Sequence, residues 1–491
     1  MRTLKNFIGG TWRDSAGERT RDVNPADVGD VVADAPASTA AEAAEACDAA
    51  ARAFEGWRQT PAPVRGQILF KVQRRMEERR QELAEALTRE EGKTLSESRG
   101  EIQRAINVVE FFAGEARRIT GETIPSELPH NFCYTLKQPV GPVAVITPWN
   151  FPVAIPIWKM APALVSGNTV VFKPATLTPL TAAIIVEIFD ECGLPPGVLN
   201  LVFGGGREVG DTIVRHPAIL AVSFTGSNDV GVGLYGAAAA RGIKCQCEMG
   251  GKNPIVVLAD ADLDLAVEST LQGAFGSTGQ RCTATSRAVV VESIADEFVE
   301  RLEARTASLV VGNGLNPSTN VGPSVDERQL ETVLSYIDAG THEGARLVRG
   351  GERMRTEGRD RGFFVSPAIF DHVDANMRIA QEEIFGPVLS LIRVADSGAA
   401  LAVANSVRFG LSASVYTNDV ASMFRFVDRL DAGIIHVNSP TVGGEAHIPF
   451  GGMKATGVGL REMGRVAIDF YTELKVVYVD YTGGVRKTNL Y

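Results

Sequence analysis

The sequence contains little cysteine and little histidine. Its 491 residues include 6 of each, and no two histidines stand at the spacing of metal ligands on a helix, so we expect no metal site. The N-terminus has no long apolar run that would indicate a secretory signal. In a large chain of this kind the cysteines fit reduced thiols better than a disulfide framework.

Blocks of one charge and membrane-length apolar runs are also missing. The 49 basic and 59 acidic residues give a net charge of −10, and without a basic patch we expect neither nucleic acid nor a membrane surface as a partner. The most apolar region, residues 141–167, is broken by Pro, Asn, Trp and Lys before it reaches spanning length. We expect a cytoplasmic protein that acts on a small molecule.

Short apolar runs alternate with helical patterns from residue 141 onward. The first series holds GPVAVITP, NTVVFKP, VLNLVF and ILAVSF, and a second series begins at NPIVVL. This alternation predicts an α/β fold with two doubly wound parallel-sheet domains. Helical patterns are also expected after a capping box at Thr39 and Glu42 and over residues 82–118. The C-terminal DFYTELKVVYVDYTGG alternates like an edge strand that invites pairing with another subunit.

Two glycine-containing segments are candidate nucleotide sites. The G-x-G-x-x-G pattern at 231–236 falls inside the helix expected after ILAVSF, which favours a packing role. In FTGS, Gly226 permits a tight turn and Ser227 can stand at an N-cap beside donors for a pyrophosphate, although any strand-to-helix turn would look alike. Lys173 ends a predicted strand and points either into the ligand crevice or to solvent.

Three residues are candidates for catalysis. Glu248 lies between an apolar run and a Gly pair, which favours a raised pKa suited to a general base, although structural glutamates at turns are commoner. Asn150 offers an amide donor for an oxyanion, or an Asx turn before proline. Cys282 follows Arg281, whose charge favours a thiolate, yet a lone cysteine is more often inert core.

Motifs along the whole chain occur in one order: TPWNFP, FKPA, FTGS, EMGGKNP, GQRCTA, EEIFGPV and PFGGMKATGVGLREMG. In order and spacing they resemble the aldehyde dehydrogenase superfamily. The resemblance implies that Cys282 attacks an aldehyde carbon, that Asn150 and the Cys282 N–H hold the oxyanion, and that Glu248 activates the water that hydrolyses the thioester. The product would be a carboxylic acid.

The resemblance also implies a nicotinamide cofactor. Lys173 would reach the adenosine ribose, Ser227 the pyrophosphate, and Glu383 with Phe385 the nicotinamide ribose. Thr176 stands where strictly NAD-dependent members often carry glutamate, so we expect NADP to be accepted and preferred, with NAD as the alternative. The other residues implied at the cofactor are Thr147, Pro148, Trp149, Ala175, Gly206, Phe224, Thr225, Gly226, Met249 and Gly250.

The substrate residues implied by the resemblance are Arg104, Arg281 and Phe151. Two arginines at a substrate tunnel suggest an anionic aldehyde, unless one of them pairs with a helix acid such as Glu101 or Glu110. The segment after residue 437 is similar to 2-oxoglutarate semialdehyde (2,5-dioxopentanoate) dehydrogenases. Succinate semialdehyde dehydrogenase and non-phosphorylating glyceraldehyde-3-phosphate dehydrogenase remain alternatives. A catalytically silent binding homologue and a cofactor-free cysteine hydrolase are rivals of other classes.

The family arrangement implies a homodimer or homotetramer and a division of the chain into separate parts. The expected parts are a cofactor-binding domain of 1–120 and 141–249, a catalytic domain of 250–440, a small β oligomerisation element of 121–140 and 466–491, and a return to the cofactor domain over 441–465.

Overall fold

The structure, a computed structural model, describes residues 1–485. Residues 486–491, part of the segment 466–491 expected to take part in oligomerisation, lie outside the described residues. None of the helices among residues 1–485 combines the length and the apolar character needed to cross a bilayer.

The first large sheet contains the strand series that begins near residue 141. In spatial order its strands are β22 (Gly457–Val458), β12 (Lys244–Glu248), β11 (Ala221–Thr225), β8 (Val143–Ile146), β9 (Val170–Lys173), β10 (Leu199–Leu201), β2 (Asn6–Ile8) and β3 (Thr11–Arg13). The strands from β12 to β10 run parallel, while β22, β2 and β3 add antiparallel edges. The parallel core was expected, whereas the antiparallel edges were not.

Helices cover both faces of this sheet. They are α1 (Ala40–Gln59), α2 (Ala62–Glu78), α3 (Arg80–Glu91), α4 (Leu95–Glu115), α5 (Ala154–Val165), α6 (Pro179–Glu191), α7 (Asp211–Arg215) and α8 (Asn228–Ala240). Along β8, Val143 and Val145 pack into one core cluster and Ala144 and Ile146 into another. Because both faces are buried, the strands read as continuous apolar runs.

The second large sheet follows in the chain. Its spatial order is β15 (Arg346–Arg349), β16 (Ala368–Asp371), β17 (Val388–Val394), β14 (Thr285–Val291), β13 (Asn253–Val257), β19 (Ser412–Tyr416) and β20 (Ile434–Val437). All neighbouring pairs are parallel except β15 with β16. The helices of this part are α9 (Leu263–Phe275), α10 (Glu292–Ala307), α11 (Glu327–His342), α12 (Arg378–Gln381), α13 (Ser397–Asn405) and α14 (Val420–Arg429).

Smaller sheets complete the fold. They are β1 (Arg2–Thr3) with β5 (Asp27–Pro36) and β4 (Arg19–Asn24), β18 (Phe409–Gly410) with β21 (Met453–Lys454), and β23 (Thr472–Asp480) with β7 (Asn131–Pro139) and β6 (Thr123–Ile124). A short helix, α15 (Ala467–Phe470), precedes β23. The C-terminal strand therefore pairs with the segment before residue 140 rather than with either large sheet.

Several local expectations are confirmed. Thr39 and Glu42 form the capping box of α1, and the glycine pattern 231–236 lies inside α8. The helical pattern over 82–118 is interrupted, because Gly92 takes a φ of 98° between α3 and α4. A Cβ at Gly92 would stand 2.7 Å from Pro323, so this turn requires glycine.

Candidate active site

Cys282 lies on the loop that leads into β14. The loop follows a single 3-10 turn, Gly276–Gly279. The Asn253 side chain fixes its backbone by donating to the Cys282 carbonyl at 2.8 Å and to the Ala284 carbonyl at 2.9 Å. Cys282 is half-buried and lines a cavity of about 770 Å³. The candidate nucleophile is therefore reachable from a ligand-sized space.

The thiol of Cys282 is held in its neutral form. Burial, together with the negative charges of Glu383 and Glu248, raises its pKa to about 12, while the charge of Arg104 acts in the opposite direction. The expectation that Arg281 favours a thiolate is therefore wrong for this state of the site. Attack on an aldehyde needs a base or a change in the environment of the sulfur.

Asn150 is buried beside the same cavity. Its side-chain amide donates to the Gln280 carbonyl at 3.1 Å. Because Gln280 comes two residues before Cys282, this bond ties the orientation of the amide to the nucleophile loop. An amide nitrogen carries two N–H groups, so the second can serve an oxyanion.

Glu248 ends β12 and is buried. Burial and the charge of Glu462 raise its pKa well above the usual range for glutamate, while Lys159 and Arg461 act in the opposite direction. The Gly452 N–H donates to Oε2 at 3.3 Å. The expectation of a raised pKa is confirmed, and such a carboxylate can accept a proton near neutral pH.

The cavity opens at the carboxyl ends of β8, β9 and β11. Successive strands run from β8 to β10 on one side and from β11 to β12 on the other, so the order reverses between β8 and β11. Open α/β sheets bind nucleotides at such a switch point. Thr147 and Thr225 stand at these strand ends, and their buried hydroxyls have no hydrogen-bonding partner within residues 1–485. The cavity therefore suits a large polar ligand such as a dinucleotide.

Most residues implied at the cofactor line this cavity. They are Thr147, Pro148, Trp149, Lys173, Gly206, Phe224, Thr225, Gly226, Ser227, Met249, Gly250, Glu383 and Phe385. Ala175 and Thr176 lie on the loop after β9, away from the cavity wall, and Thr176 is exposed. Glu248 lies behind the wall that Met249 and Gly250 form, against Gly452.

The two sides of the cavity differ in how their residues are held. Glu383 accepts the Gly251 N–H at 2.9 Å, and burial raises the pKa of its carboxyl to about 7. Phe385 packs edge-on against Trp149 with ring centres 5.3 Å apart. On the other side, burial lowers the pKa of Lys173 to about 8. Ser227 is the N-cap residue of α8, and its side chain makes no capping hydrogen bond.

The model of the aldehyde dehydrogenase family matches residues 12–477. The chain belongs to this family. Membership confirms the expected fold class and the expectation of an oxidoreductase that converts an aldehyde to an acid.

Similar proteins within the aldehyde dehydrogenase family are named for different substrates. Alpha-ketoglutaric semialdehyde dehydrogenase of Bacillus subtilis is 49% identical over 97% of this chain and 98% of its own length. Malonate-semialdehyde dehydrogenase 2 of Geobacillus kaustophilus is 42% identical over 97% of this chain and 98% of its own length. A crystal structure of betaine aldehyde dehydrogenase from Staphylococcus aureus in complex with NAD+ superposes with a TM-score of 0.96 at 35% identity, covering 99% of this chain and 96% of that one.

In this aldehyde dehydrogenase, Arg104 is a cation without a carboxylate partner. Its guanidinium carbon lies 5.1 Å from the Trp158 ring centre and 6.0 Å from that of Phe450, and Nη2 lies 3.5 Å from the sulfur of Met463. Within residues 1–485 it forms no ion pair, and its buried Nε has no hydrogen-bonding partner. Burial lowers the pKa of its guanidinium, whereas a negative charge on Cys282 or Glu101 would act in the opposite direction. The alternative of an internal salt bridge is wrong for Arg104.

Arg281, unlike Arg104, has an acidic partner. Its guanidinium donates to the Ser277 hydroxyl at 2.9 and 3.0 Å and approaches Glu97 at 3.4 Å. It lies 6.0 Å from the ring centre of Phe151, which is half-buried. The structure therefore does not bring two free arginines together, because Arg281 already has an acidic partner on α4.

Among the cavity residues that sequence reasoning missed are Arg207, Arg215 and Gln329. Arg207 and Arg215 line it with exposed side chains, and Gln329 holds the far wall by donating to the carbonyls of Ile384 and Phe385, each at 3.0 Å. Arg207 and Arg215 stand eight positions apart in GREVGDTIVR. Residues at this spacing lie near one face of a helix, and the segment directly follows a strand and a glycine run. The pattern could therefore have indicated that both arginines face the crevice at the strand ends.

Proposed function

We propose that this aldehyde dehydrogenase oxidises 2-oxoglutarate semialdehyde to 2-oxoglutarate. One observation carries the proposal: Arg104 forms no ion pair within residues 1–485 and lies over Trp158 and Phe450, which belong to the apolar cluster that Cys282 also packs against. A thiol for the aldehyde end and a guanidinium for the carboxylate end match a substrate that has both groups. The similarity to the Bacillus subtilis alpha-ketoglutaric semialdehyde dehydrogenase supports this choice.

In the proposed reaction the Cys282 thiol gives up its proton to solvent, and its sulfur bonds to the aldehyde carbon. The Asn150 amide and the Cys282 backbone N–H hold the oxyanion that forms. A bound nicotinamide would accept the hydride, which leaves a thioester on Cys282. Glu248 takes a proton from the water that cleaves this thioester, and the acid is released with the thiol restored. The raised pKa of Glu248 suits that proton transfer.

We propose NADP as the preferred cofactor. The support is the absence of a glutamate at Thr176 and the presence of Lys173, Arg207 and Arg215 near the crevice, since these cations can attract a 2'-phosphate. The comparison of kcat/KM for NADP and NAD tests the preference. Arg207→Ala should lower kcat/KM for NADP and leave that for NAD within about twofold. A strong preference of the unaltered protein for NAD would contradict the proposal.

Malonate semialdehyde is the second candidate substrate. The Geobacillus kaustophilus relative named for it favours this reading, and a guanidinium would bind its carboxylate in the same way. A panel of semialdehydes of three, four and five carbons, together with glyceraldehyde 3-phosphate, separates the candidates. The five-carbon keto acid should have the highest kcat/KM. Cys282→Ala should abolish turnover of every member, and cofactor-independent activity would contradict the dehydrogenase assignment.

We also propose that the chain forms a homo-oligomer through β23. Alternate residues of this strand, Leu474, Val476 and Tyr478, are apolar and 50–72% exposed. An outer strand with an exposed apolar face is a ready surface for a second copy.

A further inference from the structure

A buried ion pair lies directly behind Asn150. The side chains of Lys93 and Glu101 are each 1% exposed, and Nζ stands 2.7 Å from Oε2. The same Nζ donates to the main-chain carbonyl of Asn150 at 2.6 Å. It also lies 4.1 Å from the ring centre of Phe151. Lys93 therefore holds the backbone of the residue whose amide faces the oxyanion in the proposed reaction.

Glu101 fixes the other end of the same short segment. Its Oε1 accepts the N–H groups of Val153 and Ala154 at 2.9 and 3.1 Å, where α5 begins. A carboxylate at this position is stabilised by the helix dipole and by the unpaired N–H groups of a first turn. The loop from residue 150 to 154 is thus clamped at both ends by one ion pair.

The start of α4 also contacts the loop that carries Cys282. Glu97 accepts the Ser277 N–H and the Arg281 guanidinium, and its other oxygen accepts the Thr94 N–H at 3.0 Å. One helical turn therefore holds the loop of Asn150 and the loop of the nucleophile. The separation between the amide and the sulfur depends on this turn.

Other charges around Lys93 explain why a cation is needed there. Glu91 is buried 3.8 Å from Nζ, and burial raises the pKa of its carboxyl to about 8. Removing Lys93 would leave Glu101 buried without a compensating charge, which is costly inside a protein. An apolar residue at position 93 would also leave the Asn150 carbonyl without this donor.

We propose that Lys93, held by Glu101, is a positioning residue that sets the Asn150 amide relative to Cys282. The inference rests on the oxyanion role proposed for Asn150. A displacement of about 1 Å at a reacting group costs on the order of 100-fold in rate. The ion pair therefore contributes to turnover through Asn150 without touching the substrate.

A double-mutant cycle tests this inference. We expect Lys93→Met to lower kcat by about 10- to 100-fold, with the Kd of the cofactor changed less than threefold. In an Asn150→Ala background the same change should lower kcat by less than threefold, because the amide it positions is gone. Lys71→Met is the matched control, because Lys71 is exposed on α2; it should leave kcat unchanged.

Two further measurements separate a positioning role from a general disturbance of the active-site structure. The rate of Cys282 alkylation by iodoacetamide should stay within about twofold in Lys93→Met, and Lys93→Arg should recover part of kcat.

If Lys93→Met does not fold, Glu101→Gln replaces it in the cycle, because the amide oxygen can still accept the helix N–H groups. Independent, additive losses from Lys93 and Asn150 changes would overturn the positioning role alone. Full activity of Asn150→Ala would overturn both the positioning role and the proposed oxyanion role.

Discussion

Replacing Arg104 with methionine removes a half-buried positive charge and keeps an unbranched chain against Trp158 and Phe450. Arg104 is half-buried and forms no ion pair within residues 1–485, so its guanidinium can donate at least one charged hydrogen bond to a substrate carboxylate. Such a bond contributes about 1.5–3 kcal/mol. Because about 1.4 kcal/mol corresponds to a factor of ten, KM for 2-oxoglutarate semialdehyde should rise roughly 10- to 150-fold.

The assay compares kcat/KM for 2-oxoglutarate semialdehyde with that for pentanal, an uncharged aldehyde of equal chain length. Arg104→Met should lower the ratio of the two values by the full factor, with pentanal changed less than about threefold. Arg281→Met is the control, because Arg281 is already paired with Glu97. It should leave the ratio unchanged even if it lowers both values. An equal loss for both aldehydes in Arg104→Met would refute the tail-binding role.

Three other predictions concern the base, the thiol and the outer strand. Glu248→Gln should retain a burst of one reduced cofactor per site and then turn over about 10²- to 10⁴-fold more slowly, since thioester hydrolysis loses its base; unchanged steady-state turnover would contradict this. The alkylation rate of Cys282 in the cofactor-free protein should keep rising with pH above about pH 9, since a thiol with a pKa of about 12 is still mostly protonated there. A rate that reaches a plateau below about pH 8 would contradict the raised pKa. Val476→Lys places a charge on the apolar face of β23, so it should reduce the mass of the assembly measured by light scattering. Lys475→Gln is the control, and an unchanged mass in Val476→Lys would argue against this interface.

The parallel strands could be predicted because their local pattern reflects their surroundings. Val143–Ile146 and Val170–Lys173 are buried on both faces, so an uninterrupted apolar run identifies each of them. The strand Asn6–Ile8 could not be found in this way. All three of its residues pair with Thr11–Arg13 across the Gly9–Gly10 turn, and only Phe7 pairs with Leu201 of β10. The local order can indicate such a hairpin, but nothing in it indicates the distant partner that places the hairpin at the edge of the sheet.

The candidate site was predicted from motifs in combination rather than from any single residue. The only local feature that favoured a reactive Cys282 was the adjacent Arg281. In the structure the Arg281 side chain contacts Glu97, which lies on a helix far away in the sequence. The direction of a side chain depends on such long-range partners, which adjacency does not encode. The pKa of the thiol was misjudged for the same reason, since burial and the carboxylates of Glu383 and Glu248 dominate it.

The antiparallel pairing of β22 with β12 has a consequence for biosynthesis. On the ribosome, β12 is made long before Gly457 and Val458 can cover its edge, and before Gly452 can donate to Glu248. A nascent chain therefore carries an open strand edge of the kind that aggregates and that chaperones shield. Translation products that stop before residue 452 retain the whole loop of Cys282, yet they lack both Gly452 and Gly457, the backbone that contacts the proposed general base Glu248.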